Sequence, residues 1–229
     1  MGAKQVVIGI GGATRSGKST LAKNLVKFFK SDEKHIMHLD DYFSLELVFA
    51  NNNNWELPKV IDWGELKSDM NEQKFIIHSH GRKIILVEGF LLFKEPLICN
   101  FDKMIYLWVD KEEAKKRRMD TKPVKEEYFE NEVWPNFLYH NQHLAKMRAN
   151  KGKKGGNDIL VLDSTKESED EMTQKAIKFI LNQKDLERND NHEQELLQSI
   201  SEEYGKLSVD VKKKLAIDNK DKELEEKKK

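Results

Sequence analysis

A chain of 229 residues suits one domain, with room for an appended segment. Lysine plus arginine and aspartate plus glutamate each number 40, so the formal net charge is zero and no global field argues for nucleic acid or an anionic membrane as partner. The single cysteine, Cys99, excludes an intrachain disulfide and a thiolate zinc cluster, and no apolar run approaches the ~20 residues needed to span a bilayer.

In chain order, Met1-Gly2-Ala3-Lys4-Gln5 passes straight into an apolar run, so no signal or transit peptide is expected and a cytoplasmic location is the expectation. Gln5–Ile10 reads as a buried strand. Residues 12–19, Gly-Ala-Thr-Arg-Ser-Gly-Lys-Ser, match G-x-x-x-x-G-K-[ST], a phosphate-binding loop, and Thr20 to Phe29 follow with apolar residues at helical spacing. Gly12 and Gly17 let the backbone curl around an anion. The amides of Ala13, Thr14, Arg15 and Ser16 and of the helix N-terminus then face a phosphate. Lys18 adds a cation for the β and γ oxygens, and Ser19 a hydroxyl for Mg²⁺.

His35–Leu39 reads as a second strand and delivers Asp40-Asp41-Tyr42-Phe43 at its end. Asp40 is the choice for a base that takes the proton of an acceptor hydroxyl, with a helix cap as the plainer role. Phe43 to Asp62 is long for a connection; its run Asn51–Asn54 reads as a mobile bulge, and Trp55, Pro58, Ile61 and Trp63 argue for partial docking. Lys83–Val87 forms a third strand ending in Glu88, an acid suited to support a divalent cation beside phosphate oxygens, or to cap the next helix. Met104–Val109 is a fourth strand. The helical stretch after it carries Lys115-Lys116-Arg117-Arg118, read as a lid with Arg117 and Arg118 turned to phosphate and the two lysines to solvent. Lys151–Gly156 reads as a flexible surface loop, and Asp158–Leu162 as a fifth strand leading into Asp163-Ser164-Thr165-Lys166.

Continuous apolar strands alternating with helices predict an α/β fold, a parallel five-stranded sheet with helices on both faces and a site beyond the carboxyl ends of the strands. From Asp185 to Lys229 the composition shifts to about half charged with one aromatic, Tyr204. That segment reads as a solvated tail, disordered or partly helical around Leu196, Leu197 and Ile200.

These residues together resemble the nicotinamide riboside kinases, within the wider uridine-kinase-like group of P-loop kinases. The loop at Gly12–Ser19 is common to many nucleotide-binding proteins. More specific are Asn54-Trp55-Glu56-Leu57-Pro58-Lys59-Val60-Ile61-Asp62, Glu88-Gly89-Phe90-Leu91-Leu92-Phe93, Tyr128-Phe129-Glu130-Asn131-Glu132-Val133-Trp134-Pro135 and Leu162-Asp163-Ser164-Thr165-Lys166. The resemblance spans about residues 4–182. It implies a kinase domain over residues 1–184 with the tail, 185–229, left open as an arm for a protein partner.

The implied reaction is ATP- and Mg²⁺-dependent transfer to the 5′-hydroxyl of nicotinamide riboside, a small-molecule acceptor. A uridine or cytidine kinase is the runner-up, and a nucleotide-holding regulatory protein would have no need of Asp40 and Glu88 together. By resemblance, ATP binds along Gly12–Thr20 with Arg117, Lys166 and Ser168. The acceptor side comprises Asp40, Asp41, Tyr42, Phe43, Ile61, Asp62 and Arg118, with Asp62 and Arg118 on the ribose hydroxyls and Phe43 against the nicotinamide. Mg²⁺ falls to Ser19 with Asp40 or Glu88. Asp62 could instead cap a helix at Trp63, and Phe43 could instead be core. The lid departs from the family pattern: Met119-Asp120-Thr121-Lys122 has no further arginine, leaving Lys122 as a point charge, and Pro123-Val124 has no aromatic.

Overall fold

A computed structural model describes residues 6–32, 35–79, 84–93, 101–121, 124–149, 159–183 and 186–226. Lys122, Pro123 and the Lys151–Gly156 loop lie outside the described residues. The five apolar runs become β1 (Val6–Gly12), β2 (Ile36–His38), β3 (Ile84–Gly89), β4 (Lys103–Trp108) and β5 (Ile159–Asp163). They form one sheet in the order β2-β3-β1-β4-β5, every pair parallel.

Parallel strands need crossovers, and helices supply them on both faces. In chain order these are α1 (Lys18–Phe28), α2 (Leu45–Ala50), α3 (Trp63–Ser79), α4 (Lys111–Thr121), α5 (Glu126–Tyr128), α6 (Trp134–Asn141), α7 (Leu144–Ala149) and α8 (Glu169–Ile180). One face packs Ile8, Ile10 and Leu86 against Leu21 and Leu25 of α1 and Ile177 of α8. The opposite face packs Val7, Val87 and Tyr106 against Leu66 and Met70 of α3, Trp134 and Leu138 of α6 and Leu144 of α7. Neighbours such as Val7 and Ile8 serve opposite faces, as the two-residue period of a strand requires. Among the described residues no helix is long and apolar enough to cross a membrane.

Register sets up the rim. Ile10 pairs with Glu88 and His38 pairs with Glu88, so the end of β2, the end of β3 and the start of the glycine loop meet at one edge. The loop leaves β1 through Gly12 at φ 147°, where a Cβ would lie 2.4 Å from the Leu107 carbonyl oxygen. Only glycine fits there. Gly17, at φ 94°, turns the chain into α1.

The run Asn51–Asn54, expected as a mobile bulge, is instead built into a folded segment over 43–62. Ser44 caps α2 by accepting from the Leu47 amide. Asn52 and Asn53 take left-handed backbone at φ 56° and 57°, a conformation asparagine tolerates better than most residues. Asn54 is buried, and a tight turn at Pro58–Val60 leads to an antiparallel bridge between Ile61 and Phe43.

A larger correction concerns the segment read as a solvated tail. It forms two helices, α9 (Asp190–Lys206) and α10 (Val209–Glu226). Glu193, Leu196, Leu197 and Ile200 recur at i, i+3, i+4, i+7 and are buried, a full amphipathic stripe packed on α6, α7 and β5. The Glu193 carboxylate accepts from the Val161 amide at 3.0 Å and from Arg188, whose guanidinium donates to the Ile159 carbonyl at 2.6 Å. Edge strand β5 thereby has backbone groups satisfied by side chains of the supposed tail. High charge density misled the composition reading because the charges lie on one side of α9 and one of them is buried with a partner.

Candidate active site

Above the carboxyl ends of β1, β2 and β3 lies a cavity of about 430 Å³. The glycine loop and α1 line one wall with Thr14, Arg15, Gly17, Lys18, Ser19 and Thr20. Asp40 and Glu88 stand on the floor, α4 brings Arg117, Arg118 and Thr121, and Phe43, Trp55, Glu56 and Phe90 close the far end.

Each group is held for a physical reason. Lys18 donates to the Ala13 carbonyl at 2.8 Å, which folds the loop around its own cation. Burial lowers the Lys18 pKa, while the charges of Glu88 and Asp40 oppose that shift. The Ser19 hydroxyl donates to Glu88 Oε1 at 2.7 Å, and His38 Nδ1 sits 2.7 Å from the same oxygen. Burial alone would raise the Glu88 pKa; the hydrogen bond with His38, the charge of Lys18 and the Ser19 hydroxyl outweigh it and hold the carboxyl below its ordinary range. The same contact with Glu88 raises the His38 pKa.

The arginines are pinned over the loop. Arg117 pairs with Glu113 at 2.7 Å and donates to the Ser164 carbonyl at 2.8 Å, with a longer contact to the Arg15 carbonyl at 3.4 Å. Arg118 reaches Thr14 Oγ1 at 3.4 Å, and its Nε is buried with no hydrogen-bond partner among the described residues. Lys115, expected in solvent, instead pairs with Glu126 and Glu130 and ties α4 to the segment after it.

At the far end Phe43 meets Trp55 edge-on, with centroids 5.2 Å apart, and stacks on Phe90 at 6.5 Å. Behind them Glu56 is only 9% exposed. Its amide donates to Asn54 Oδ1 at 3.0 Å. Burial raises the Glu56 pKa to about 7, against the attraction of Arg118 and Lys18 and reinforced by the charges of Asp40 and Glu132. An ionisable group tuned toward neutrality inside a cleft is a marker of a working site.

No protein-family model matches the chain. Nicotinamide riboside kinase 1 of Rattus norvegicus is 32% identical over 187 residues, covering 75% of this chain and 92% of the relative. The chain belongs to the nicotinamide riboside kinase family. A second relative, the nicotinamide riboside kinase of Schizosaccharomyces pombe, is 26% identical over 232 residues, with 78% of this chain and 97% of the relative covered. Among solved structures, an unliganded sugar kinase from Janibacter sp. HTCC2649 superposes with a TM-score of 0.50 at 13% identity, over 86% of this chain and 99% of that one. At that identity the superposition speaks for the kinase fold alone.

In this family member the sequence-derived residues separate into two groups. From the loop Thr14, Arg15, Gly17, Lys18, Ser19 and Thr20 line the cavity with Asp40, Phe43, Glu88, Arg117 and Arg118, whereas Gly12, Ala13 and Ser16 are buried and do not line it. Others do not line it. Asp62 is exposed and accepts from the Glu65 amide at 2.8 Å as the cap of α3. Ile61 is core. Asp41 is exposed, and the Tyr42 hydroxyl is turned away to Asp69 at 3.0 Å. The Lys166 side chain is 69% exposed beside Asp163, and Ser168 caps α8 in a reciprocal pair with Glu171. Next to the loop, a smaller cavity of about 210 Å³ is bordered instead by Thr20, Arg117, Ser164, Glu169 and Thr173.

Glu56 and His38, like the wall residues Trp55 and Phe90, were not among the sequence-derived site residues. Glu56 lies six positions before Asp62 in the same motif, and only its burial tells the two acids apart. His38 becomes visible once the parallel register places it beside Glu88. Ser19, Glu88 and Asp40 offer hydroxyl and carboxylate oxygens only, a donor set suited to Mg²⁺, which keeps water and phosphate oxygens in its shell. Among the described residues no group of three or more His, Cys, Asp or Glu could hold a metal ion.

Proposed function

We propose that this chain transfers the γ-phosphoryl group of ATP to the 5′-hydroxyl of nicotinamide riboside, giving nicotinamide mononucleotide. One observation carries the reading: a phosphate loop and an aromatic-lined end carrying a buried acid face each other across Asp40 in a single cavity. The names of the rat and fission-yeast relatives support the choice of acceptor.

The chemistry follows from the parts. Lys18 and the loop amides hold the β and γ phosphates, and the donor's nucleoside extends toward Ser164 and Thr173. Asp40 accepts the proton of the 5′-hydroxyl as that oxygen bonds to the γ phosphorus and the bond from phosphorus to the bridging oxygen breaks, releasing ADP. Arg117 and Arg118 approach the charge that builds on the transferring group. Ser19, Glu88 and Asp40 would hold Mg²⁺, which when bound would supply neutralising charge to the phosphates. Glu56 takes the place assigned by sequence to Asp62, accepting from the ribose 2′- and 3′-hydroxyls with Arg118 beside it. Phe43 and Trp55 provide aromatic faces for a cationic pyridinium ring, worth ~0.5–2 kcal/mol.

The net charge near zero and the single cysteine suit a reducing, cytoplasmic setting for this activity. The test is a coupled ADP-release assay across nicotinamide riboside, nicotinic acid riboside, uridine and cytidine. Highest kcat/KM with nicotinamide riboside is expected; preference for uridine or cytidine, or no turnover with any of them, would overturn the proposal.

A further inference from the structure

Helix α10 lies beyond residues 4–182, the stretch whose motifs resemble the nicotinamide riboside kinases, yet it is seated on the acceptor side. Leu215 is 1% exposed, and the helix packs on α6 and on the Pro58–Val60 turn. From the preceding position, Lys214 forms an ion pair with Glu132 Oε1. The other oxygen of that carboxylate, Oε2, accepts from Asn54 Nδ2 at 2.8 Å. Asn54 Oδ1 in turn accepts from the Glu56 amide at 3.0 Å. Four residues from three parts of the chain thus form one unbroken path from the surface of α10 to the acid in the acceptor pocket.

Glu132 sits on a single π turn, Phe129–Val133, between α5 and α6. Such wide turns are uncommon and favour functional sites. Its backbone carbonyl accepts from Asn136 at 2.9 Å, which fixes the turn while the carboxylate bridges Lys214 and Asn54. Asn54 is 8% exposed, so its amide group has little access to water as a substitute partner.

We propose that α10 is part of the acceptor site: Lys214 orients Glu132, Glu132 orients Asn54, and Asn54 sets where Glu56 stands toward the sugar. Lys214 is a positioning residue, since it touches neither substrate nor reacting atoms. The consequence is that acceptor affinity depends on a helix that the phosphate chemistry does not need. The acceptor arm of the test rests on the nucleoside-kinase reading, and the exchange arm does not.

The experiment compares the full chain with Lys214→Ala, Lys214→Arg, Glu132→Ala and the Glu132→Ala/Lys214→Ala double variant. Hydrogen exchange of the peptide covering 54–57 is measured first. It should accelerate in Lys214→Ala and return toward the parent rate in Lys214→Arg, while exchange in β1 stays unchanged. Steady-state kinetics should then show KM for nicotinamide riboside raised about fivefold in Lys214→Ala, the size expected of a part-exposed ion pair, with KM for ATP and kcat within about twofold. The double variant should be no worse than Glu132→Ala alone, because both changes cut one path. Parent-like exchange at 54–57 in Lys214→Ala overturns the proposal, as does a KM rise shared equally by ATP. If the exchange result holds but the parent turns over no riboside, the path stands and the functional reading falls.

Discussion

Glu56 is the residue on which the chemistry can be tested most directly. In the proposed role its ionised form accepts from both ribose hydroxyls, and burial places its pKa at about 7. KM for the riboside should therefore rise as pH falls below about 7, and Glu56→Gln should raise KM by ~10–100-fold and flatten that pH dependence. The same shift bears on stability with a definite sign. The folded pKa is raised above the ordinary 4.5, so the carboxyl opposes folding increasingly as pH climbs from 4.5 to about 7, and fully above that. Melting temperatures at pH 5 and pH 8 should show Glu56→Gln gaining on the parent at the higher pH; a constant gap would show that the carboxyl is not buried. Asp62→Ala should behave differently, losing about 1 kcal/mol of stability with its cap and leaving riboside selectivity intact. Lys18→Ala and Asp40→Ala should both abolish turnover, but nucleotide binding, measured by calorimetry, should survive only the second. Loss of the base should remove ~10²–10⁴-fold in rate. The two acids of one motif show what a sequence can and cannot give at this scale. The resemblance singled out Asp62 and passed over Glu56; burial brings Glu56 forward, and that burial depends on Asn54 and on the aromatic wall, which are brought together only by the fold.

At the scale of elements, strands were legible and register was not. Five apolar runs bounded by polar rims sufficed for a parallel sheet, since a strand buried on both faces leaves a continuous hydrophobic signature. Nothing in the run His35–Leu39 says that His38 will stand beside Glu88, because that is decided by how two strands align. Helix α9 was half legible. Leu196, Leu197 and Ile200 mark its stripe, but the fourth member is an acid, and an acid at a core position looks like a surface residue until its partner is known. Arg188, five residues upstream, is that partner. Glu193→Ala should remove the closest charge partner of the half-buried Arg188 and the acceptor of the Val161 amide, lowering unfolding free energy by about 3 kcal/mol in urea titration. A change under about 0.5 kcal/mol would mean that the pair is solvated in solution.

For the molecule as a whole, α9 packs on α6, α7 and β5, and α10 on α6 and the Pro58–Val60 turn. Truncation after Gln183 removes the stripe of α9, the Arg188–Glu193 pair and the hydrogen bond from Trp134 to Glu203 at 2.9 Å. It should yield protein with a sharply lowered melting temperature or none that is soluble; an active, stable fragment would contradict the packing. The overall architecture was legible because it follows from period and order, whereas the docking of α9 was not, because half its surface is charged and its apolar half is short. The two edges of the sheet are guarded in different ways. Strand β2 is only three residues long, and short edges recruit few partners. Strand β5 is protected by side chains supplied from farther along the chain, Val161 from Glu193, thirty-two residues later. During synthesis, which proceeds N-terminus first at ~5–20 residues per second, β5 therefore leaves the ribosome seconds before its cover exists. For that interval the nascent chain presents an open strand edge, and chaperone dependence of this kinase should be concentrated there.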